Sequence, residues 1–279
     1  MRSMSVVRSG LGALTLGLVA VVLSATPALA AVGPPPSSMA SIGDSITRGF
    51  NACGFYVDCT VRSFSTGDDS SVASHYLRIR ARNSALNGHA FNDARSGATV
   101  ADMAGQAATA VSQHVDYVTI LIGGNDACTG SESQMTSVRA FRTGIDAALA
   151  RLKSGLPAAR VAVISIPDVK RLWAAGQGNL AALSAWSLFH VCQSLLANPT
   201  STAATDNARR DRVRQRVIDF NTQLAQACVA YGPNCAFDNN AVFNAPFTLS
   251  QISAWDYFHP NSAGQRMLAQ ASYTAGFNW

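Results

Sequence analysis

The segment that most limits the fold is residues 116–122, Asp-Tyr-Val-Thr-Ile-Leu-Ile, which is β-branched and apolar along almost its whole length. A strand that is apolar on both faces is typical of the centre of a parallel sheet, because helices cover such a sheet on both sides. We predict four further strands, at residues 39–42, 88–93, 160–166 and 235–238. These five segments indicate a sheet with a buried centre.

The segments between the strands have helical patterns. We predict helices over residues 72–81, 99–111, 138–152, 172–196, 206–228 and 262–275. Because strands and helices alternate along the chain, we predict an α/β fold, a three-layer α/β/α sandwich around a central parallel sheet. In such a sheet, ligands and catalytic groups gather beyond the carboxyl ends of the strands.

The first 30 residues have the pattern of a leader rather than of a folded segment. Arg2 and Arg8 give a positive start, residues 11–23 are an apolar run, and Ala28-Leu29-Ala30 fits a small-residue cleavage site. This order predicts a secretory signal peptide over residues 1–30 and a single extracellular domain over residues 31–279. The alternative is an uncleaved anchor, although the apolar run is short for a membrane span.

All six cysteines lie in the predicted domain. An even number of cysteines in an exported chain indicates disulfides, so we predict three, although many pairings are open. We favour sequential pairing, which gives Cys53–Cys59, Cys128–Cys192 and Cys228–Cys235. A structural zinc site is the alternative, but the Cys-x-x-Cys spacing typical of such sites is missing. We therefore expect no metal and no organic cofactor.

Residues with the potential for acyl transfer follow the predicted strands. Ser45 comes after the first strand in a Gly-Asp-Ser sequence, Gly97 after the second, and Asn125 after the third in Gly-Gly-Asn-Asp. Near the end of the chain, Asp256 precedes His259 by three residues. A serine, a base, an acid that orients the base and donors for an oxyanion are the groups that acyl transfer requires.

The order of these residues suggests a role for each. Ser45 is the candidate nucleophile, His259 the general base and later the acid, and Asp256 the group that orients the imidazole. The backbone N–H groups of Ser45 and Gly97 and the side-chain amide of Asn125 are the candidate oxyanion donors. Each residue alone has an ordinary explanation as a turn residue, so the interpretation depends on their combination.

The four blocks Gly43-Asp44-Ser45, Gly97, Gly123-Gly124-Asn125-Asp126 and Asp256-Tyr257-Phe258-His259 resemble the SGNH, or GDSL, hydrolase superfamily. The resemblance spans nearly all of residues 31–279, and the chain is similar to secreted actinobacterial esterases and lipases. Ile46 stands where the name motif of the family has leucine. The resemblance implies a flavodoxin-like SGNH hydrolase domain that hydrolyses esters through an acyl-enzyme.

Several functions remain open at this point. The first is hydrolysis of a lipid or small-molecule ester, by an esterase, lipase or phospholipase. The second is removal of acetyl groups from a polysaccharide, which the resemblance also allows. The third is a secreted binding protein without activity, which would lack a nucleophile, base or oxyanion donor. The formal net charge of +5 does not require a nucleic acid partner, and we expect a monomer.

One charged cluster and several apolar residues stand out beyond these blocks. Five arginines fall within the predicted helix 206–228, namely Arg209, Arg210, Arg212, Arg214 and Arg216. They form either a solvated helix face or a transient contact with anionic lipid headgroups. The apolar residues Leu172, Trp173, Trp186, Phe189, Phe243 and Phe247 belong either to the core or to an acyl pocket.

Overall fold

The computed structural model describes Met1 and residues 33–279. Apart from Met1, the predicted signal peptide lies outside the described residues. None of the helices in the described part of the chain is both long and apolar enough to cross a membrane.

A single parallel sheet of five strands forms the centre of the described structure. The strands are β1 (Met39–Gly43), β2 (Ala90–Asn92), β3 (Tyr117–Leu121), β4 (Arg160–Val163) and β5 (Cys235–Phe237), in the order β2-β1-β3-β4-β5. All five residues of β3 are buried, and β3 pairs with β1 on one side and β4 on the other. The apolar segment therefore forms the middle strand of a parallel sheet, as the sequence predicts.

Helices cover both faces of this sheet. They are α1 (His75–Arg80), α2 (Met103–Ser112), α3 (Gly124–Ala127), α4 (Val138–Gly155), α5 (Val169–Gly176), α6 (Leu180–Leu188), α7 (Gln193–Leu196), α8 (Ala204–Tyr231) and α9 (Ser262–Thr274). Val118 and Ile120 pack with α2, α4 and α8 on one face. Tyr117 and Leu121 point to the other face, where α1 and α9 pack. The α/β/α sandwich is confirmed.

The prediction of one helix over residues 172–196 is wrong, because α5, α6 and α7 occupy this segment. At the end of α5, a Cβ on Gly176 would lie 2.4 Å from the Trp186 ring, so only glycine leaves room for the ring at this position. Asn179 then begins α6 by accepting a hydrogen bond from Ala182 N at 3.0 Å. Cys192 has a left-handed backbone, with φ of 43°, and separates α6 from α7.

Three disulfides join segments that are sequential in the chain. Cys53–Cys59 closes a turn-rich loop after β1, which we call the Cys53–Cys59 loop (residues 50–59). Cys128–Cys192 links the end of α3 to the start of α7, and Cys228–Cys235 links α8 to β5.

Candidate active site

The exit of β1 places Ser45 at the carboxyl edge of the sheet. A Cβ on Gly43 would lie 2.2 Å from the Leu121 carbonyl oxygen, so no larger residue fits between β1 and β3. The side chain of Gln106 in α2 holds Gly43 from the other side. Its Oε1 accepts from Gly43 N at 2.7 Å, and its Nε2 donates to Gly43 O at 2.9 Å. These contacts fix the backbone two residues before Ser45.

Ser45, His259 and Asp256 form a continuous hydrogen-bonded chain. Ser45 Oγ lies 2.8 Å from His259 Nε2, and His259 Nδ1 lies 2.5 Å from Asp256 Oδ2. Because a carboxylate only accepts hydrogen bonds, Nδ1 carries the proton of the neutral ring. Nε2 is then free to accept the Ser45 hydroxyl proton, which is the arrangement that a general base requires.

The acid and the base come from one closed loop before α9. Ile252 and Pro260 form an antiparallel bridge, and Ser253 N donates to His259 O at 2.8 Å. Inside this loop, the backbone N–H groups of Phe258 and His259 donate to Asp256 Oδ1 at 2.9 and 3.1 Å. The loop therefore orients the carboxylate toward the imidazole.

Asn51 is a further residue of the site that the sequence analysis missed. Its Nδ2 donates to Asp256 Oδ2 at 2.8 Å, and both side chains are buried. Its neighbour Phe50 lies with its ring centroid 4.9 Å from that of His259. Because 205 residues separate Asn51 from Asp256, no local pattern connects them. The backbone φ of Asn51 is 64°, as is common for asparagine in turns, and a turn position does not reveal that the side chain binds Asp256.

Each of the three candidate oxyanion donors has an N–H group without an acceptor among the described residues. Within residues 33–279, the backbone N–H groups of Ser45 and Gly97 donate to no acceptor. Asn125 Nδ2 donates one hydrogen to the carbonyl of Ala98, the residue after Gly97, at 2.8 Å. The second hydrogen of this amide is then available, and Asn125 lines the same pocket as Ser45.

Asn125 is presented by a turn that requires glycine. Gly123 has φ of 119°, and a Cβ there would lie 2.4 Å from the side chain of Ile166 and 3.0 Å from that of Phe141. This turn leads from β3 directly into α3, so Asn125 faces the carboxyl edge of the sheet. The local sequence Gly-Gly-Asn thus places one amide beside Ser45.

The two aspartates of the motifs have different surroundings. Asp126 accepts hydrogen bonds from Val100 N at 3.0 Å and from Thr136 Oγ1 at 2.8 Å, as expected of a structural acid. Asp44 Oδ1 accepts from Ile46 N at 2.9 Å, but Asp44 Oδ2 is buried without a hydrogen-bond partner among the described residues. Burial raises the pKa of Asp44 to about 7.

An apolar trough opens beside Ser45 and Asn125. Its lining includes Ile46, Ile166, Val169, Leu172, Phe247 and Phe258. Of the apolar residues that the sequence analysis selected, Leu172 and Phe247 therefore line the trough, whereas Trp186 and Phe243 belong to the core. Trp173 packs against the core, and Phe189 is half exposed.

His75, outside the candidate active site, is a buried core residue. His75 Nδ1 lies 2.8 Å from Tyr117 Oη, and His75 Nε2 lies 2.8 Å from Ser272 Oγ. Burial lowers the pKa of His75 to about 3. In the described part of the chain, no group of three or more His, Cys, Asp or Glu side chains could hold a metal ion.

The five arginines of α8, which we call the arginine segment (residues 209–216), bind within the protein. Arg210 is fully buried, donates to the carbonyls of Asn198 and Ser201 at 2.9 Å, and lies 4.3 Å from the Trp173 ring centroid. The other four contact Asp206, Glu132, Asp168 and the Thr136 carbonyl. Arg212 remains more than half exposed, so the segment is a partly solvated helix face whose guanidinium groups also bind within the protein.

Comparisons with known proteins agree with the geometry of the fold. Comparison with curated protein sequences gave no significant match. A variant of an acetylxylan esterase from Geobacillus stearothermophilus is 17% identical over 89% of this chain and 97% of its own, with a TM-score of 0.56. A putative GDSL-like lipase from Parabacteroides merdae is 17% identical over 88% and 98%, with a TM-score of 0.55.

An extracellular lipase from Streptomyces rimosus is also similar, with 18% identity over 85% of this chain and 99% of its own and a TM-score of 0.50. At such low identity these structures share the fold alone. A family model described as GDSL-like lipase/acylhydrolase matches residues 39–272. The chain therefore belongs to the GDSL-like lipase/acylhydrolase family of ester-hydrolysing serine hydrolases.

Proposed function

We propose that the protein hydrolyses carboxylic esters of lipids through a Ser45–His259–Asp256 triad. His259 Nε2 takes the hydroxyl proton as Ser45 Oγ attacks the ester carbonyl carbon. Asp256, held by Asn51 and two backbone N–H groups, stabilises the imidazolium that forms. The imidazolium then protonates the leaving alcohol, and the acyl group remains bonded to Ser45.

Water then hydrolyses the acyl-enzyme, again with His259 as the base. His259 removes a proton from water, the hydroxide attacks the acyl carbon, and the proton returns to Ser45 Oγ as the acid leaves. In both steps the carbonyl oxygen becomes an anion. Its proposed donors are Ser45 N–H, Gly97 N–H and the free hydrogen of the Asn125 amide.

The observation that carries the lipid assignment is the apolar trough beside Ser45. Ile46, Leu172, Phe247 and their neighbours make most of the exposed lining apolar, which suits an alkyl chain. Asp44, Asp168 and Arg171 also line the trough but contribute a small part of its surface. Each methylene group that leaves water for such a surface contributes about 0.8 kcal/mol. We therefore expect kcat/KM to rise with acyl chain length until the trough is filled.

Deacetylation of a polysaccharide is the second candidate. The similarity to an acetylxylan esterase supports it only at the level of the fold. An acetyl group would leave the apolar trough empty. Esters with short acyl groups would then be the best substrates, which separates the two candidates.

We also propose that the enzyme is secreted after removal of residues 1–30. The three disulfides support this, because such bonds persist in oxidising compartments. The measurement is the N-terminal sequence of protein recovered from a culture medium. A cell-retained protein that still begins with residue 1 would contradict the proposal.

The deciding experiment for the activity is hydrolysis of an ester series from acetyl to long acyl chains, including a diacyl phospholipid. Ser45→Ala should lower kcat by about 10⁴-fold or more, because no other nucleophile is placed against His259. Ser112→Ala, at an exposed position near the end of α2, is the matched control and should keep full activity. Undiminished hydrolysis by Ser45→Ala would refute the proposed nucleophile.

A further inference from the structure

A group of exposed apolar side chains lies on the His259 side of the candidate active site. Three aromatic rings of this group are Phe55, Phe189 and Trp255, which are 64%, 50% and 48% exposed. Tyr56, Val57 and Leu188 are exposed as well. We call these six residues the aromatic mouth patch. Single exposed apolar residues are common on soluble proteins, but a contiguous group indicates an interaction site.

Ring contacts connect the patch to the catalytic histidine. Tyr56 lies at the centre, with its ring centroid 5.6 Å from that of Phe189 and 5.7 Å from that of Trp255. Phe50 lies 6.3 Å from Tyr56 and 4.9 Å from His259. The Tyr56 hydroxyl donates to the Trp255 carbonyl at 2.6 Å. Rings from three separate segments therefore form one surface at the site.

These segments carry almost no charge. Residues 50–57, 172–205 and 239–255 contain no Asp, Glu, Lys or Arg, although 13% of the whole chain is charged. The nearest acids are already engaged, since Asp58 pairs with Arg48 at 2.8 Å and Asp256 binds His259. A partner that depends on charge would find no complementary group on the patch itself.

Helix α6 extends the same property away from the mouth. Its buried side holds Ala182, Ala185 and Trp186, yet its exposed side carries Leu180 and Leu188, which are 80% and 72% exposed. A surface helix normally has a polar outer face. Two large apolar side chains therefore stand on the outer face of α6, among the exposed small residues Ala181, Ser184 and Ser187.

We propose that the aromatic mouth patch docks the enzyme onto a lipid surface that is uncharged or zwitterionic. Aliphatic Val57 and Leu188 beside Phe55 and Phe189 suit acyl chains better than sugar rings, which need hydrogen-bonding partners around the stacking face. Tyr and Trp are the residues that favour the boundary between lipid and water. A lipid ester would then pass from the surface into the trough, so the assignment rests on the proposed function.

The test measures binding without turnover. Ser45→Ala protein is mixed with phosphatidylcholine vesicles, and binding is followed by flotation and by the shift of tryptophan emission. Adding Phe55→Ser and Phe189→Ser should weaken binding by at least about tenfold, because two aromatic rings no longer leave water when the protein binds. Val229→Ser is the control, since Val229 is 82% exposed near the far end of α8.

Three results would overturn the proposal. The first is no binding of Ser45→Ala protein to phosphatidylcholine, and the second is equal binding by the double variant and the Val229→Ser control. The third is binding that requires phosphatidylserine and disappears with salt, which would identify a charged surface instead. Retention on acetylated xylan that the double variant loses would reassign the patch to a polysaccharide. Hydrolysis of soluble esters tests the triad separately, so either proposal can fail alone.

Discussion

Residues 172–205 and 209–216 are neighbours in the chain, but they differ in charge and in what their side chains contact. The first stretch has no charged residue over 34 positions and places Leu188 and Phe189 in solvent. The second has five arginines, and each one binds an acceptor within the protein. The two segments therefore differ at their exposed positions: the uncharged one leaves apolar side chains in solvent, whereas the arginines bind acceptors within the protein.

The difference separates stability from function. The arginine segment joins α8 to the segments that carry Glu132, Thr136, Asp168 and Asn198, so its contribution is to hold helices and loops together. The mouth, meaning the pocket beside Ser45 together with the aromatic mouth patch, carries the candidate catalytic and binding groups. Substitutions in the arginine segment should lower stability without affecting turnover, and substitutions at the mouth should do the reverse.

After Ser45→Ala, the largest expected effect is that of Asn125, which lines the same pocket. Asn125→Ala should lower kcat/KM by about 10²–10³-fold, because one oxyanion donor is lost. The unfolding free energy should fall by only about 1 kcal/mol, through loss of the hydrogen bond to the Ala98 carbonyl. The measurements are ester kinetics and urea unfolding of the same preparation.

Asn234→Ala is the matched control for this substitution. Asn234 also donates one side-chain hydrogen bond to a backbone carbonyl, that of Pro157 at 3.2 Å, but it lies just before β5, at the opposite edge of the sheet. Equal activity of the two variants would remove Asn125 from the proposed oxyanion site.

The second effect belongs to the arginine segment. Arg210→Ala should lower the unfolding free energy by about 3 kcal/mol, since a buried side chain is removed, the carbonyls of Asn198 and Ser201 lose their donor and the Trp173 ring loses its packing. Arg212→Ala is the control, because its pair with Glu132 is exposed and contributes about 1 kcal/mol or less. Turnover per folded molecule should stay unchanged in both. A tenfold loss of turnover in Arg210→Ala would break the separation of roles.

The third effect concerns Asp44, a buried acid next to Ser45, and it depends on pH. The pKa of Asp44 is raised from 3.8 to about 7, so the folded protein binds this proton more tightly than the unfolded chain does. Its contribution to the unfolding free energy therefore falls as pH rises from 3.8 toward 7. Asp44→Asn should remove a slope of about 1 kcal/mol per pH unit in this window.

Unfolding in urea between pH 4 and pH 8 checks this expectation. Asp146→Asn is the control, because Asp146 is a half-exposed partner of Arg142 on α4. Parallel pH curves for the wild type and Asp44→Asn would show that Asp44 keeps its ordinary titration in the folded protein.

The sheet could be predicted because its strands carry their own signal. β3 is buried on both faces, and that requirement is visible in residues 116–122 as a run of β-branched and apolar side chains. The predicted residues of the site could be selected because each follows a strand or precedes α9. The break between α5 and α6 could not be predicted, because it depends on the Trp186 ring packing against Gly176.

The positioning of Asp256 by Asn51 is also absent from any local pattern, since the two residues meet only after the chain has folded. The same holds for the arginine segment, whose acceptors lie just before α5, on α8 itself and in the segments around residues 132–136 and 195–201. The sequence identifies residues whose side chains could take part in a reaction, and long-range packing decides which of them are available at the site.

The Cys53–Cys59 loop has one more consequence, for how such an enzyme can change. Asn51 binds the Asp256 carboxylate from one end of this loop, and Phe55 and Tyr56 stand at the surface a few residues later. An insertion or deletion here would disturb the acid of the triad and the rings of the patch together. Adaptation to a different surface should therefore proceed through Leu188, Phe189 and Trp255, which can vary without moving Asn51.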